Sequence, residues 1–276
     1  MSRRFAQVDV FGSGACRGNP VAVVLDAEGL STGEMQRFAR WTNLSETTFV
    51  LPPAGPAADY RVRIFTPALE LPFAGHPTLG TCHAWLEAGG EPRGPGAIVQ
   101  ECGAGLVRIR RDGDHLAFAA PPLVRSGPAS DEEVARVAAA LEVDRSELLA
   151  VEWVDNGPGW IAALFESADR VLELEPTGVD FDLGVVGFHP EGAEAAVELR
   201  AFFPLDGVTA EDPVTGSLNA SVAQWLLGSG RLEAPYVATQ GGAIGRAGRI
   251  QVDQDEVGTI WVGGRCVTVL DGEAHV

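Results

Sequence analysis

Three polar residues stand where proton chemistry could be done: Glu46 in NLSETTF, His76 in PFAGHPTLG and Asp212 in AEDPVTGS. Glu46 enters a stretch whose following residues are mostly apolar. An apolar pocket or neighbouring acids would raise its pKa, which suits a carboxylate that takes and returns a proton near neutral pH. His76 sits between Gly75 and Pro77 ahead of small and apolar residues, a place open to a catalyst, a metal ligand or a helix start. Asp212 lies just before Gly216 and Ser217, which open a second run of small and apolar residues. Taken singly, each has a plainer reading. Glu46 would be a solvated loop acid, His76 a helix N-terminal residue with Pro77 at N1, Asp212 the opening of a turn before Pro213, and Ser217 an ordinary cap.

Several chemistries are excluded by what is missing. All 20 basic residues are arginine. A chain without lysine can form no Schiff-base lysine and no phosphate-gripping P-loop lysine. The four cysteines, Cys16, Cys82, Cys102 and Cys266, form no C-x-x-C pair and read as free thiols. His76 and His83 are roughly 10 Å apart along a helix, too far to share one metal ion. GSGACRG at 12–18 misses the dinucleotide glycine spacing, and no G-x-S-x-G elbow occurs. A formal net charge of −18 argues against nucleic acid and anionic membrane as partners. There is neither a ~20-residue apolar run nor a signal-like start. The expectation is a cytoplasmic protein, and a small anionic substrate would need local help to bind it.

The elements that must position these residues are mostly strands: AQVDVF, VAVVL, TTFVL, YRVRIF, GLVRIR and HLAFAA. Residues 33–41 predict a short amphipathic helix ending at Asn43, and Ser130 with Glu133 forms a capping box ahead of VARVAAAL. APPLVRSGPAS, from residue 120, reads as a linker. An internal repeat supports two halves. RIFTPALELPFAGHPTLGTCHAWL (63–86) and RAFFPLDGVTAEDPVTGSLNASVAQWL (200–226) each run from Arg-x-Phe-x-Pro, through a loop, to a glycine opening a helix that carries Trp-Leu. Both helices show small or apolar residues on nearly every side, so both must be surrounded. The pattern predicts an α+β fold of two pseudo-symmetric halves, each a curved, mostly antiparallel sheet or barrel wrapped around a central buried helix. The halves are residues 1–121, with the last strand (about 266–276) packing back onto them, and 122–265. Gly89-Gly90 and Gly228 are the expected left-handed C-caps. Two helix starts facing one cleft would supply the anion site that the net charge does not.

GNPVAVVLD (18–26), NLSETTFV (43–50), FAGHPTLG (73–80), EDPVTGS (211–217), TQGGAIGRAGRIQV (239–252) and VGGRCVTV (262–269) together closely resemble the PhzF-like phenazine-biosynthesis isomerase family. The resemblance implies the diaminopimelate-epimerase-like fold, a homodimer and a cofactor-independent proton shift. By motif it makes Glu46 the acid/base and His76 and Asp212 its polar partners. Gly75, Gly216 and Ser217 would hold a substrate carboxylate, and Gln240 would add a further polar contact. Epimerases of this fold place a cysteine before each central helix, where this chain has Ala74 and Thr215, so a two-thiol mechanism is not expected. The function expected is an isomerase moving a proton within a small carboxylate-bearing metabolite. The alternatives are a non-catalytic small-molecule binder or an epimerase of unknown substrate.

Overall fold

A computed structural model describes residues 2–94 and 96–276. Two compact units result: one runs up to Ala119 and takes back Gly263–Val276, and the other is Ala120–Val262.

The first unit is a closed barrel. Ser2–Val10 pairs antiparallel with Asn19–Val24 on one side and with the last strand, Ile260–His275, on the other. Asn19–Val24 runs parallel to Glu46–Leu51, which pairs antiparallel with Tyr60–Phe65. Tyr60–Phe65 runs parallel to Ile98–Cys102. From there Gly105–Asp112 and His115–Ala119 lead back to the last strand. Closure removes the sheet edges that would otherwise seek partners.

Pairings in the second unit follow the same order. Ala150–Asp155 is antiparallel to Ile161–Phe165, which is parallel to Leu183–Phe188. That strand is antiparallel to Val197–Leu205, which is antiparallel to Val208–Asp212 and parallel to Tyr236–Gln240. The repeat seen around the two helices therefore extends to the sheets.

Each unit wraps its sheet around one helix, Gly75–Glu87 in the first and Gly216–Gly228 in the second. Every residue from Gly75 to Cys82 is buried, more than two full turns, so this part of the helix has no solvent face. Gly80 is required there: a Cβ would stand 2.3 Å from Val21 Cγ1 in the barrel wall. The mixed α+β architecture and its two central buried helices match the sequence reading. Among the described residues, no helix is long and apolar enough to cross a membrane.

Local signals are reproduced with some corrections. The amphipathic helix spans Thr32–Thr42, capped by a Ser31–Glu34 box and by left-handed Asn43, and the Ser130–Glu133 box opens Asp131–Leu141. Gly228 is not a cap; it closes the helix, and the left-handed residue is Gly230. Ser217 is not a cap either, since the N-cap is Thr215, whose hydroxyl turns to Asp212 at 2.6 Å instead of capping. Pro77 falls at the third helical position, not the first, because the helix already begins at Gly75 with Ala74 as N-cap. The supposed linker carries a strand, Arg125–Pro128, paired to Ala150–Asp155. Its turn-forming composition yields to the ladder hydrogen bonds on offer.

Candidate active site

The first unit brings Glu46 and His76 together. Glu46 is the first residue of Glu46–Leu51 and is held opposite Val21 by the parallel ladder. His76 is the second residue of the central helix. His76 Nε2 lies 3.2 Å from Glu46 Oε2, with side chains 5% and 15% exposed, so the carboxylate keeps access to solvent while the ring does not. On the other side of the ring, Asn19 Nδ2 stands 3.3 Å from Nδ1, and the Pro20 backbone, which has only a carbonyl to offer, accepts a hydrogen bond.

Burial holds the His76 imidazole neutral, with its pKa pushed down to about 3 and only partly offset by the Pro20 bond. A neutral ring is at once a donor and an acceptor, which an imidazolium is not. The consequence for stability has a definite sign. In the unfolded chain the ring takes up a proton below pH 6.5, while in the fold it does not until about pH 3, so its contribution is complete above 6.5 and lost as pH falls between them. On going from pH 6.5 to about 4, wild type should lose about 3 kcal/mol more than His76→Gln in urea unfolding. Parallel curves for the two proteins would contradict this.

The second unit holds a different set. Asp212 Oδ2 accepts from Thr215 Oγ1 at 2.6 Å. Gln240 is buried at the end of Tyr236–Gln240, and its amide is fully used within the protein. Its oxygen accepts from the Thr215 backbone N–H at 3.0 Å and from Asn219 Nδ2 at 2.9 Å; its nitrogen donates to the Asp212 carbonyl and to Thr215 Oγ1. Gln240 thus ties the start of the helix to Asp212. Gln100, in the corresponding strand of the first unit, donates to Thr78 on the first helix at 2.9 Å. Gly75 and Gly216 are the first helical residues, whose N–H groups have no intrahelical acceptor and no Cβ to shield them. Ser217 is partly exposed in the next position.

Asn19, Asn156, Trp160 and Asn219 were not singled out as site residues from sequence. Asn219 carried a signal, a polar side chain within an apolar helix, and Asn19 lies in GNP. Asn156 and Trp160 occupy DNGPGW, which reads only as a turn. His83, weighed as a possible ligand beside His76, instead meets Thr268 Oγ1 at 3.0 Å.

The family described as phenazine biosynthesis-like protein, PhzC-PhzF, matches residues 8–272. The chain belongs to that family. It is 34% identical to the trans-2,3-dihydro-3-hydroxyanthranilate isomerase of Pseudomonas aeruginosa, across 99% of each chain. It is 36% identical to antisense-enhancing sequence 1 of Schizosaccharomyces pombe, across 99% of this chain and 98% of that one. The crystal structure of a PhzF-family protein from Bacillus anthracis superposes over the whole of both chains with a TM-score of 0.83 at 23% identity. The fold is that of the PhzF proteins, and the chain is an isomerase of this family.

Proposed function

We propose that this isomerase moves a proton within a small carboxylate-bearing metabolite without a cofactor, and that Glu46 alone carries the proton between two carbons. The observation that bears this reading is the Glu46–His76 contact at the start of a buried helix. The imidazole, held neutral, is a poor proton donor to carbon, which leaves the carboxyl as the carrier. The neutral ring stands 3.2 Å from the carboxyl and, with Asn19 Nδ2 behind it, holds Glu46 in place without adding a charge that burial would oppose.

The second unit's contribution is binding. Ser217 and the N–H group at Gly216 are the donors proposed for a substrate carboxylate, in fixed positions where they also stabilise charge developing on it. Asp212 is oriented by Thr215 and by the Gln240 amide behind it, and it is the proposed acceptor for a polar substituent. Gln240 acts through these two residues.

The experiment is solvent-deuterium incorporation. The protein would be incubated in D2O with trans-2,3-dihydro-3-hydroxyanthranilate, the compound named for the P. aeruginosa relative, and then with other unsaturated or activated small carboxylates. A turned-over compound should be recovered as its isomer, carrying deuterium at carbon to the extent that the Glu46 carboxyl exchanges with solvent before it returns the proton. A compound that binds and is recovered neither isomerised nor labelled would favour the non-catalytic binder.

A further inference from the structure

Along the strand Ser2–Val10, Val8 and Val10 face the central helix, where both stand within 4 Å of a Cβ placed at Gly80. Side chains alternate along a strand, so Asp9 points out through the other face of the barrel wall. It is nonetheless only 2% exposed, because the loop of residues 11–18 folds back over it. Asp9 Oδ2 accepts from the Arg17 N–H at 3.0 Å, and the Gly18 N–H lies 3.0 Å from both carboxylate oxygens.

The loop is drawn tight around this carboxylate. A Cβ at Gly12 would stand 2.5 Å from Asp9 Oδ2, and one at Gly18 only 2.0 Å from the Val10 carbonyl oxygen. Phe11 and Cys16 have φ of +65° and +63°, a left-handed conformation that residues with side chains keep only where their surroundings hold them. The chain then runs directly to the candidate site. Gly18 is followed by Asn19, fully buried, whose Nδ2 stands 3.3 Å from His76 Nδ1, and by Pro20, whose backbone bonds the same ring. In the ladder Pro20 lies opposite Asp9. The two groups behind the imidazole therefore hang from a segment whose backbone Asp9 fixes at the residue before them.

We propose that Asp9 is a positioning residue of the isomerase: by gripping the Arg17 and Gly18 N–H groups it holds Asn19 and Pro20 against His76, and through the ring it sets the place of Glu46. The inference rests on the acid/base role proposed for Glu46. An aspartate that only closed its loop would change nothing at His76 in a protein that stays folded. Asp9→Asn keeps the shape and removes the charge, and its NH2 brings a donor to N–H groups that need acceptors. Once the segment loosens, water reaches the ring, and burial, the main cause of its low pKa, is relieved.

NMR of protein labelled with 15N in its histidine rings reports this directly, His76 being assigned by its loss in His76→Gln. At a temperature where circular dichroism shows every protein folded, the wild-type His76 signals should stay those of a neutral ring from about pH 7 down to about pH 4.5, whereas in Asp9→Asn they should titrate within that range. Asp9→Ser, smaller and still an acceptor, should shift the titration the same way and serves if the asparagine variant does not fold. With trans-2,3-dihydro-3-hydroxyanthranilate, Asp9→Asn should lower turnover at least about tenfold with little change in KM. In a His76→Gln background it should add less than about twofold, because its route to the reaction is the ring. If that compound is not turned over, the NMR titration decides the assignment alone. A wild-type His76 titration in the folded variants, or an equal loss of turnover with and without His76, would overturn the positioning role. Full turnover in Glu46→Gln would instead remove the acid/base reading and leave the tie between Asp9 and His76 to the NMR result.

Discussion

Glu46→Gln should lower turnover at least about 100-fold, the ordinary loss when a general acid/base is removed, while leaving the fold unchanged. Glutamine has the size of glutamate and can still face His76 Nε2, but it cannot carry a proton. Because Glu46 keeps some exposure and its backbone is held by the parallel ladder, the substitution should shift unfolding little. Steady-state rates with the compound found in the deuterium experiment, together with near-UV circular dichroism, check both halves. A folded Glu46→Gln protein with full activity would remove Glu46 from the chemistry. His76→Gln should be less severe, because it disturbs the orientation of the carrier and leaves the carrier itself in place.

Arg200→Ala should cost about 3–5 kcal/mol of stability, the usual penalty for breaking a buried ion pair from one side. Arg200 and Glu211 have side chains only 6% and 10% exposed and meet through two parallel bonds of 2.9 and 2.8 Å. The remaining guanidinium nitrogen donates to the Val171 and Leu174 carbonyls at 3.0 and 2.6 Å. Removing the arginine strands a carboxylate and two carbonyls in the interior. The double variant Arg200→Met/Glu211→Leu should recover most of the loss, since it removes the stranded charge as well. Glu211 adjoins Asp212 and pairs with Phe202 in the same ladder that sets Ala201 against Asp212, so Arg200→Ala should also weaken substrate binding at temperatures where it remains folded. Urea titrations of the three proteins test the stability ranking. A loss below about 1 kcal/mol for Arg200→Ala would mean that the interior admits water at Glu211.

Much of the architecture was legible because burial must be written along a contiguous segment. GHPTLGTCHAWLE and GSLNASVAQWLLG cannot form surface helices, and their resemblance to each other announces two enclosures of the same kind. Capping boxes at Ser31 and Ser130 are equally local, with donor and acceptor three residues apart. The exact starts of the central helices were not legible. Ser217 has a cap residue's composition, but Thr215 takes the position because Gln240, distant in sequence, draws its backbone N–H into a hydrogen bond. The ion pair of Arg200 and Glu211 also went unread, since nothing in either residue's neighbours marks it as buried. The contacts of Asn156 and Trp160 with Ser217 join positions 61 and 57 residues apart, and a turn-like string of Asn, Gly and Pro gives no hint of such a partner. In the candidate site, the residue types of proton transfer could be read from motifs, whereas the groups that orient them came into view only with tertiary structure.

The central claim is that one carboxylate both removes and returns the proton. The most direct test is the stereochemistry of the shift. A substrate carrying deuterium stereospecifically at the reacting carbon would be converted in ordinary water, and the faces of label loss and of proton gain at the new carbon would be assigned by NMR. A single carrier at Glu46 predicts removal and delivery on the same face of the substrate. Delivery to the opposite face would require a second base and would contradict the account.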